Sequence, residues 1–191
     1  MVEEKQHQLK DRETTEAWLT ANSIDFHTIT HVPVMTMAEM NEAVLFEGEY
    51  AATMIAKNLF FQDKKNKERM WVVCACHDTT IDLKALTKTL GCGSGNLRAG
   101  SEEAMYDKLG ARKGALTLFS ILNDTGKSVE MILDKRLAED YARVAFHPMT
   151  NEATTSIAKE GMMKVIAESQ REARVLDFAA LAPAASAAPA Q

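Results

Sequence analysis

The sequence predicts an α+β fold, a curved, mixed and mainly antiparallel sheet with helices packed around it. Three observations predict it. Apolar runs rich in β-branched and aromatic residues flank short polar turns in the middle of the chain, so hairpins dominate there. Segments with helical spacing, opened by Thr, Ser or Asp and closed by Gly, alternate irregularly with those runs. No glycine-rich loop ending in Lys-Ser/Thr follows a strand, which excludes phosphate-loop and dinucleotide-binding folds.

The elements follow in order. Residues 1–11 are polar and read as a flexible N-terminal segment. "TTEAWLTANSI" (14–24) reads as a helix with a threonine cap, and "DFHTITHV" as a strand ending at Pro33. "MTMAEMNEAVLF" (35–46) reads as a second helix, with Thr36 as cap and Glu39 three residues on. "ATMIAKNLFFQ" and "RMWVVCAC" form a hairpin around "DKKNKE", whose turn is basic through Lys64, Lys65, Lys67 and Arg69. "TIDLKALTKTLG" (80–91) is a short helix running from Thr80 or Asp82 to Gly91. "NLRAG" is a short strand and "SEEAMYDKLG" (101–110) another capped helix. "GALTLFSILND" and "KSVEMILDKRL" flank an Asn-Asp-Thr-Gly turn and suggest a further hairpin. "VAFHPMTNEATTSIA" is extended and threonine-rich, and "KEGMMKVIAESQ" is a closing helix. The domain is expected over 12–178, with the uncharged Ala/Pro tail 179–191 outside it.

Composition narrows the function. A chain of 191 residues that is 46% hydrophobic and 26% charged can bury one sizeable core. A net charge of −5 excludes a general polyanion binder, so any nucleic-acid contact is local. Three cysteines, an odd number, argue for a reducing compartment. No apolar run reaches the roughly 20 residues that span a bilayer. The opening "MVEEKQHQLKDRETTE" has no apolar signal core, so the cytoplasm is the expected location.

Metal and thiol chemistry are weakly supported. His27 and His31, four apart on a strand, stand about 13 Å from each other, too far for one ion. Cys74 and Cys76 read as small hydrophobes beside Val72 and Val73, and no motif surrounds Cys92. Neither a metal nor a cofactor is expected.

Prolines and one lysine carry more. Outside the tail only Pro33 and Pro148 occur, and each follows a histidine closely, His31 in "THVPVMT" and His147 in "FHPMTNEATT". Proline fixes the backbone, so each histidine is held in a defined non-helical place, as a solvated strand end or a pocket wall. In "TMIAKNLFFQDKK", Lys57 and Asn58 interrupt an apolar strand. Neighbours on a strand face opposite ways, so one of the pair turns toward the core side or a cavity. Lys57 then either snorkels to solvent or meets a ligand.

"AKNLFFQDKKNKERMWVV", "IDLKALTKTLG", "GSEEAMYDKLGARKGALTLFSILND" and "VAFHPMTNEATTSIAKEGMMKVI" occur in this order over roughly 12–178. Together they resemble the prolyl-tRNA editing family of YbaK/ProRS-associated domains, and most of all its freestanding branch that deacylates alanyl-tRNA carrying the proline anticodon. The resemblance implies hydrolysis of the ester between a wrong amino acid and the 3′ end of tRNA, with no metal, cofactor or covalent nucleophile. It places the family's lysine on Lys57, its asparagine on Asn58, its histidine before proline on His147 and its glycine loop on Gly110 to Gly114. Where members usually carry Thr-Pro-Phe, this chain has Thr117-Leu118-Phe119. Lys57, Asn58 and His147 are therefore the expected catalytic groups. His31, Gly110, Gly114, Thr117, Ser120, Asn123, Thr150 and Asn151 are expected around the substrate, and Lys64, Lys65, Lys67 and Arg69 on the tRNA. The partners implied are the acceptor end of tRNA and a prolyl-tRNA synthetase or its assembly. Two other readings stay open: a non-catalytic adaptor in a synthetase assembly, and a deacylase for a broader set of small amino acids.

Overall fold

The computed structural model describes residues 7–34, 39, 40 and 43–181. In chain order these form α1 (Arg12–Ala21), β1 (Phe26–Thr30), β2 (Met54–Asp63), β3 (Met70–Cys76), α2 (Leu83–Thr89), β4 (Leu97–Ala99) and α3 (Glu102–Leu109). There follow β5 (Val129–Asp134), α4 (Lys135–Glu139), β6 (Arg143–Phe146), β7 (Ala153–Ala158), α5 (Lys159–Glu168), β8 (Ala173–Leu176) and α6 (Phe178–Leu181). The α+β class stands, with one open eight-stranded sheet in the order β1-β7-β6-β2-β3-β5-β8 and β4 added beside β2. Pairs β1–β7, β6–β7, β2–β3 and β2–β4 are antiparallel, and β2–β6, β3–β5 and β5–β8 are parallel.

Local chemistry sets the helix starts. Asp11, not a threonine, caps α1: its carboxylate accepts from Thr14 N at 2.9 Å, and Thr14 Oγ1 accepts from Asp11 N at 3.2 Å. That reciprocal box satisfies two amides that a helix start leaves open. Asp82 caps α2 by accepting from Lys84 N and Ala85 N at 2.8 and 2.9 Å, and Ser101 caps α3 through Ala104 N at 3.1 Å. Of the helix expected over 35–46, Thr36 and several others lie outside the described residues, while Glu39, Met40 and Ala43 are helical.

One expected hairpin is replaced. "GALTLFSILND" holds a 3₁₀ helix, Leu118–Asn123, and β5 pairs in parallel with β3 instead. All six residues of that helix are buried, so the segment has no two-residue alternation to seat on a half-exposed sheet. The threonine-rich stretch is the hairpin of β6 and β7, with β7 inside the sheet between β1 and β6.

The sheet separates an inner from an outer layer. On the inner face, Ala56, Phe60, Val72, Cys74, Met131 and Phe146 pack with Leu109, Phe119 and Val165. On the outer face, Phe61, Trp71, Val73 and Ala75 pack under Leu86 and Leu90 of the α2 region and Phe178. At the other end of the same outer face, Ala145 and Ile55 pack with Val34, Met40, Val44 and Phe46. Each fully buried Leu, Val or Phe contributes about 1.5–3 kcal/mol. Among the described residues no helix is long and apolar enough to cross a membrane. Ala179–Leu181 continue the last helix, and the rest of the Ala/Pro tail lies outside the described residues.

Asn123 ties the chain start to the core. Its Oδ1 accepts from Leu9 N at 2.8 Å, and its Nδ2 donates to Leu9 O and Leu109 O at 2.7 and 2.9 Å. Leu9 is 1% exposed, so the packed structure begins before residue 12. Asn123→Ala strands three buried main-chain groups and is expected to cost roughly 2–4 kcal/mol, measured by urea unfolding. A change below about 0.5 kcal/mol would contradict this clamp.

Candidate active site

The long strand β2 is incompletely paired. One of its edges is covered by β3. On the other edge, Met54 and Ile55 pair with β6 and Phe61–Asp63 with β4, leaving 56–60 without a strand partner. Even-numbered residues of β2 turn their N–H and C=O toward this edge, as Gly100 N donating to Phe60 O and Lys64 N donating to Asn96 O both show, at 2.9 Å each. The main-chain N–H and C=O of Asn58 therefore face the gap, and no described main-chain group bonds to either. The Asn58 side chain adds a buried Oδ1 with no partner among the described residues. A buried polar atom left unpaired costs about 1–3 kcal/mol and is uncommon unless something else fills the place.

Lys57 stands on the opposite, outer face, where it separates the two apolar clusters. Ile55 before it belongs to one and Leu59 after it to the other. Its ammonium donates to His77 O at 3.1 Å and to Thr79 O, so it is neither free in solvent nor in an ion pair among the described residues. Burial pushes its pKa below the ordinary lysine value, while the carboxylates of Asp78 and Asp134 act in the other direction. An ammonium has three donors, and these two carbonyls take two of them. The turn that supplies the carbonyls is itself fixed. Asp134, 1% exposed, accepts from Cys76 N at 3.2 Å, from Thr79 Oγ1 and from Arg136 N at 3.1 Å. Arg136 grips Asp78 with two hydrogen bonds of 2.8 and 3.2 Å.

His147 follows β6 directly. Met54 pairs with Val144, and the same offset carried three residues on brings position 147 level with Lys57. The ring is fixed by Nδ1 against Ala153 O at 2.9 Å. A carbonyl only accepts, so Nδ1 carries the proton and the neutral ring presents Nε2 as an acceptor. Burial lowers the His147 pKa, the Ala153 carbonyl raises it and nearby His31 lowers it further. The His31 ring centroid is 6.2 Å away, with Nδ1 at 2.8 Å from Val32 O and Nε2 at 2.9 Å from Thr154 Oγ1. After Pro148, Met149 takes a φ of 59°, a left-handed conformation that costs a non-glycine residue about 1–2 kcal/mol. That turn swings Thr150 and Asn151 away from the strand.

Thr150, Asn151 and Gly110 line a cavity of about 860 Å³, together with Lys10, Tyr106, Arg112 and Lys113. Lys57, Asn58 and His147 are not in its lining, so the expected residues fall into two adjoining groups joined by the 147–151 turn. Gly110 ends α3 with φ 64°, and a Cβ there would lie 2.8 Å from Asn123 Nδ2. Gly114 is exposed with φ 83°, so the loop between the two glycines has a backbone that other residues rarely adopt. Thr117, Ser120 and Asn123 are buried and bonded internally rather than in the cavity lining, Asn123 lying just behind Gly110: Thr117 Oγ1 accepts from Phe119 N at 3.4 Å and Ser120 Oγ donates to Thr117 O at 2.6 Å. Lys64, Lys65 and Lys67 are exposed at the hairpin tip. Arg69 is held inward, donating to Gly91 O and Leu90 O at 3.2 and 2.6 Å with its guanidinium 5.1 Å from the Trp71 ring. Arg112 and Lys113 were not expected at the site, although the basic pair inside "GARKG" marks them in the sequence. Nothing local marks the positioning pair Asp134 and Arg136.

The thiols are poor nucleophiles, because burial pushes Cys74 and Cys76 up to about 12. Among the described residues no three His, Cys, Asp or Glu side chains stand close enough to hold a metal ion.

Comparison with known proteins points one way. The aminoacyl-tRNA editing domain model matches residues 31–165. The prolyl-tRNA synthetase associated domain-containing protein 1 of Mus musculus is 36% identical over 168 residues, covering 87% of this chain and 96% of that protein. The prolyl-tRNA editing protein ProX of Acetoanaerobium sticklandii is 36% identical over 143 residues, covering 75% of this chain and 82% of its own. A crystal structure of a protein proposed as a trans-editing enzyme for prolyl tRNA synthetase superposes with a TM-score of 0.60 over 87% of this chain and 95% of that one. At 17% identity it speaks to the fold alone.

The lowered His147 pKa makes stability depend on pH. The unfolded chain binds the imidazole proton near its ordinary value of 6.5, and the folded chain only at lower pH. The contribution is therefore complete above about 6.5 and is lost as pH falls through the depressed folded value. His147→Gln is expected to flatten that acid limb of unfolding free energy between about pH 7.5 and 5. An unchanged slope in the variant would show that His147 does not titrate in this way.

Proposed function

The chain belongs to the aminoacyl-tRNA editing domain family and is an aminoacyl-tRNA deacylase, and we propose that its substrate is alanyl-tRNA carrying the proline anticodon, cleaved in trans. The observation that carries this reading is the open stretch of β2, where an ammonium and an unpartnered amide oxygen sit on successive residues at a gap in the sheet. The names of its relatives, which refer to prolyl-tRNA synthetase and prolyl-tRNA editing, support the choice of tRNA. In this reading the chain works beside that synthetase in the cytoplasm.

An aminoacyl ester is already activated, so the protein supplies position and charge rather than a nucleophile. Water adds to the ester carbonyl, a tetrahedral oxyanion forms, and the C–O bond to the ribose breaks as the ribose oxygen takes a proton. The neighbouring ribose hydroxyl relays that proton, accepting it from the attacking water and passing its own to the departing ribose oxygen. Lys57 directs its remaining donor toward the terminal phosphate or the oxyanion. The Asn58 amide and its outward main-chain N–H and C=O meet the ribose hydroxyls and the ester. His147, neutral, offers Nε2 to the substrate's α-ammonium group and walls the amino-acid side. Gly110 to Gly114, with Thr150 and Asn151, line the neighbouring space for the 3′ nucleotide.

Selection is steric, with a space sized for a methyl group that turns away the proline ring. A difference of one methylene is worth only about 1–3 kcal/mol in such a site, so editing serves as a second test after synthesis.

Lys57→Ala is expected to lower kcat for deacylation about 10²-fold or more while the fold persists by circular dichroism. Full activity in the folded variant would remove the assignment. In a panel of mischarged tRNAs, alanyl-tRNA(Pro) should be hydrolysed and prolyl-tRNA(Pro) spared. Equal hydrolysis of the two would refute a methyl-sized site, and faster hydrolysis of seryl- or cysteinyl-tRNA would move the specificity to those amino acids.

A further inference from the structure

A cavity of about 270 Å³ lies where the chain start, α1, the segment after the 3₁₀ helix and the end of α5 meet. None of the expected catalytic or substrate residues lines it. Its lining includes a buried ion pair, Arg171 at 8% and Asp124 at 3% exposure, with Nη2 donating to Oδ2 at 2.6 Å. Nη1 of Arg171 donates to Ile121 O and Ser169 O at 3.1 and 3.3 Å, and Nη2 donates also to Asp124 O. Four of the five guanidinium donors are thus used, and the buried Nε–H has no partner among the described residues. Buried donors are rarely left open, so this one marks a place for an acceptor. Lys127, exposed in the same lining, donates to Gln170 Oε1 at 3.1 Å and forms no ion pair with a described residue. Both residues have a left-handed backbone, φ 51° and 53°, which non-glycine residues adopt rarely and which gathers at ligand sites. Glu168, the last residue of α5, brings a carboxylate to the lining with no basic residue in that last turn. The negative end of a helix dipole disfavours a carboxylate, so this end of the cavity favours a cation. Half-buried Trp18 and buried Leu122 add an apolar wall.

We propose that this cavity binds a free α-amino acid with a small side chain. The carboxylate of the ligand meets Lys127 and the open Nε–H of Arg171. Its ammonium meets Glu168 at the end of α5, and its side chain lies against Trp18 and Leu122. A ligand with only one charge satisfies one end of the cavity and leaves the other uncompensated. The volume suits a molecule of this size, since drug-sized ligands take about 300–1,000 Å³. A free amino acid is what hydrolysis of an aminoacyl ester releases. The ligand is therefore of the product class of the reaction proposed above, held apart from Lys57, Asn58 and His147. The binding itself does not rest on that reaction.

The test is a titration followed by nuclear magnetic resonance. The chain has two tryptophans, so its ¹H–¹⁵N spectrum holds two indole N–H signals, and Trp18→Phe identifies the one at the cavity. L-alanine or L-proline is expected to shift the Trp18 signal saturably, with a Kd of about 0.1–10 mM. The signal of Trp71, packed in the outer layer, should stay in place. Alaninamide, which lacks the carboxylate, N-acetylalanine, which lacks the ammonium, and acetate should each bind about tenfold or more weakly. The double variant Lys127→Gln/Glu168→Gln exchanges two exposed side chains and keeps the fold, and it should weaken L-alanine and L-proline by about tenfold or more. The absence of a saturable Trp18 shift up to about 50 mM of either amino acid would overturn the proposal. Equal affinity in the double variant, or for any of the three one-charge or uncompensated controls, would overturn it as well.

Discussion

One long strand serves two partners on a single edge. β2 holds β6 at one end and β4 at the other, and the stretch between them is left unpaired. Unsatisfied strand edges are costly and invite unwanted pairing, so a gap inside a sheet persists only where its neighbours enforce it. Here the enforcement comes from register: β6 ends at Phe146, just before Pro148, and antiparallel β4 ends at Ala99 opposite Phe61. The gap leaves main-chain groups of Asn58 open and sets Lys57 beside the place where β6 turns away.

The lysine shows how a charge is kept in an apolar layer. Desolvation works against the ammonium, and the sheet answers with carbonyl dipoles and two carboxylates. Those carbonyls belong to a turn anchored by Asp134, which is in turn tied to Arg136 and, through Arg136, to Asp78. The ammonium is thus positioned through a turn that Asp134 and Arg136 hold in place. A carboxylate buried without such donors would be a liability, and here three of its neighbours donate to it.

Much of the fold was legible because its signals are local. Asp82, Ser101 and Gly110 mark helix ends, and the apolar runs in "NLFFQ" and "MWVVCAC" on either side of a polar turn mark the β2–β3 pair. The extended stretch after His147 followed from its threonine content, and the opposing faces of Lys57 and Asn58 from strand periodicity. The false hairpin at 114–137 shows the limit. A run buried on all sides reads alike as strand or helix, and the turn signal after it did not reveal that β5 pairs with β3. The site was legible only in part. Lys57, Asn58 and His147 stood out as polar groups in apolar or proline-fixed settings. Asn123, Thr117 and Ser120 also looked like ligands, but their polar atoms are used to cap and clamp the interior. Composition cannot separate a polar group facing a cavity from one facing a carbonyl.

The wiring of the sheet also orders events in time. Among the described residues β1 pairs only with β7, whose residues lie 127 positions later at Thr28 and Thr155. Such distant pairings form late, because a long loop has to close before any contact rewards it. A nascent chain can assemble the β2–β3 hairpin as soon as residue 76 emerges, but His147 and its Ala153 support follow more than 70 residues later. The candidate site is therefore not assembled on the ribosome until residue 153 has been made.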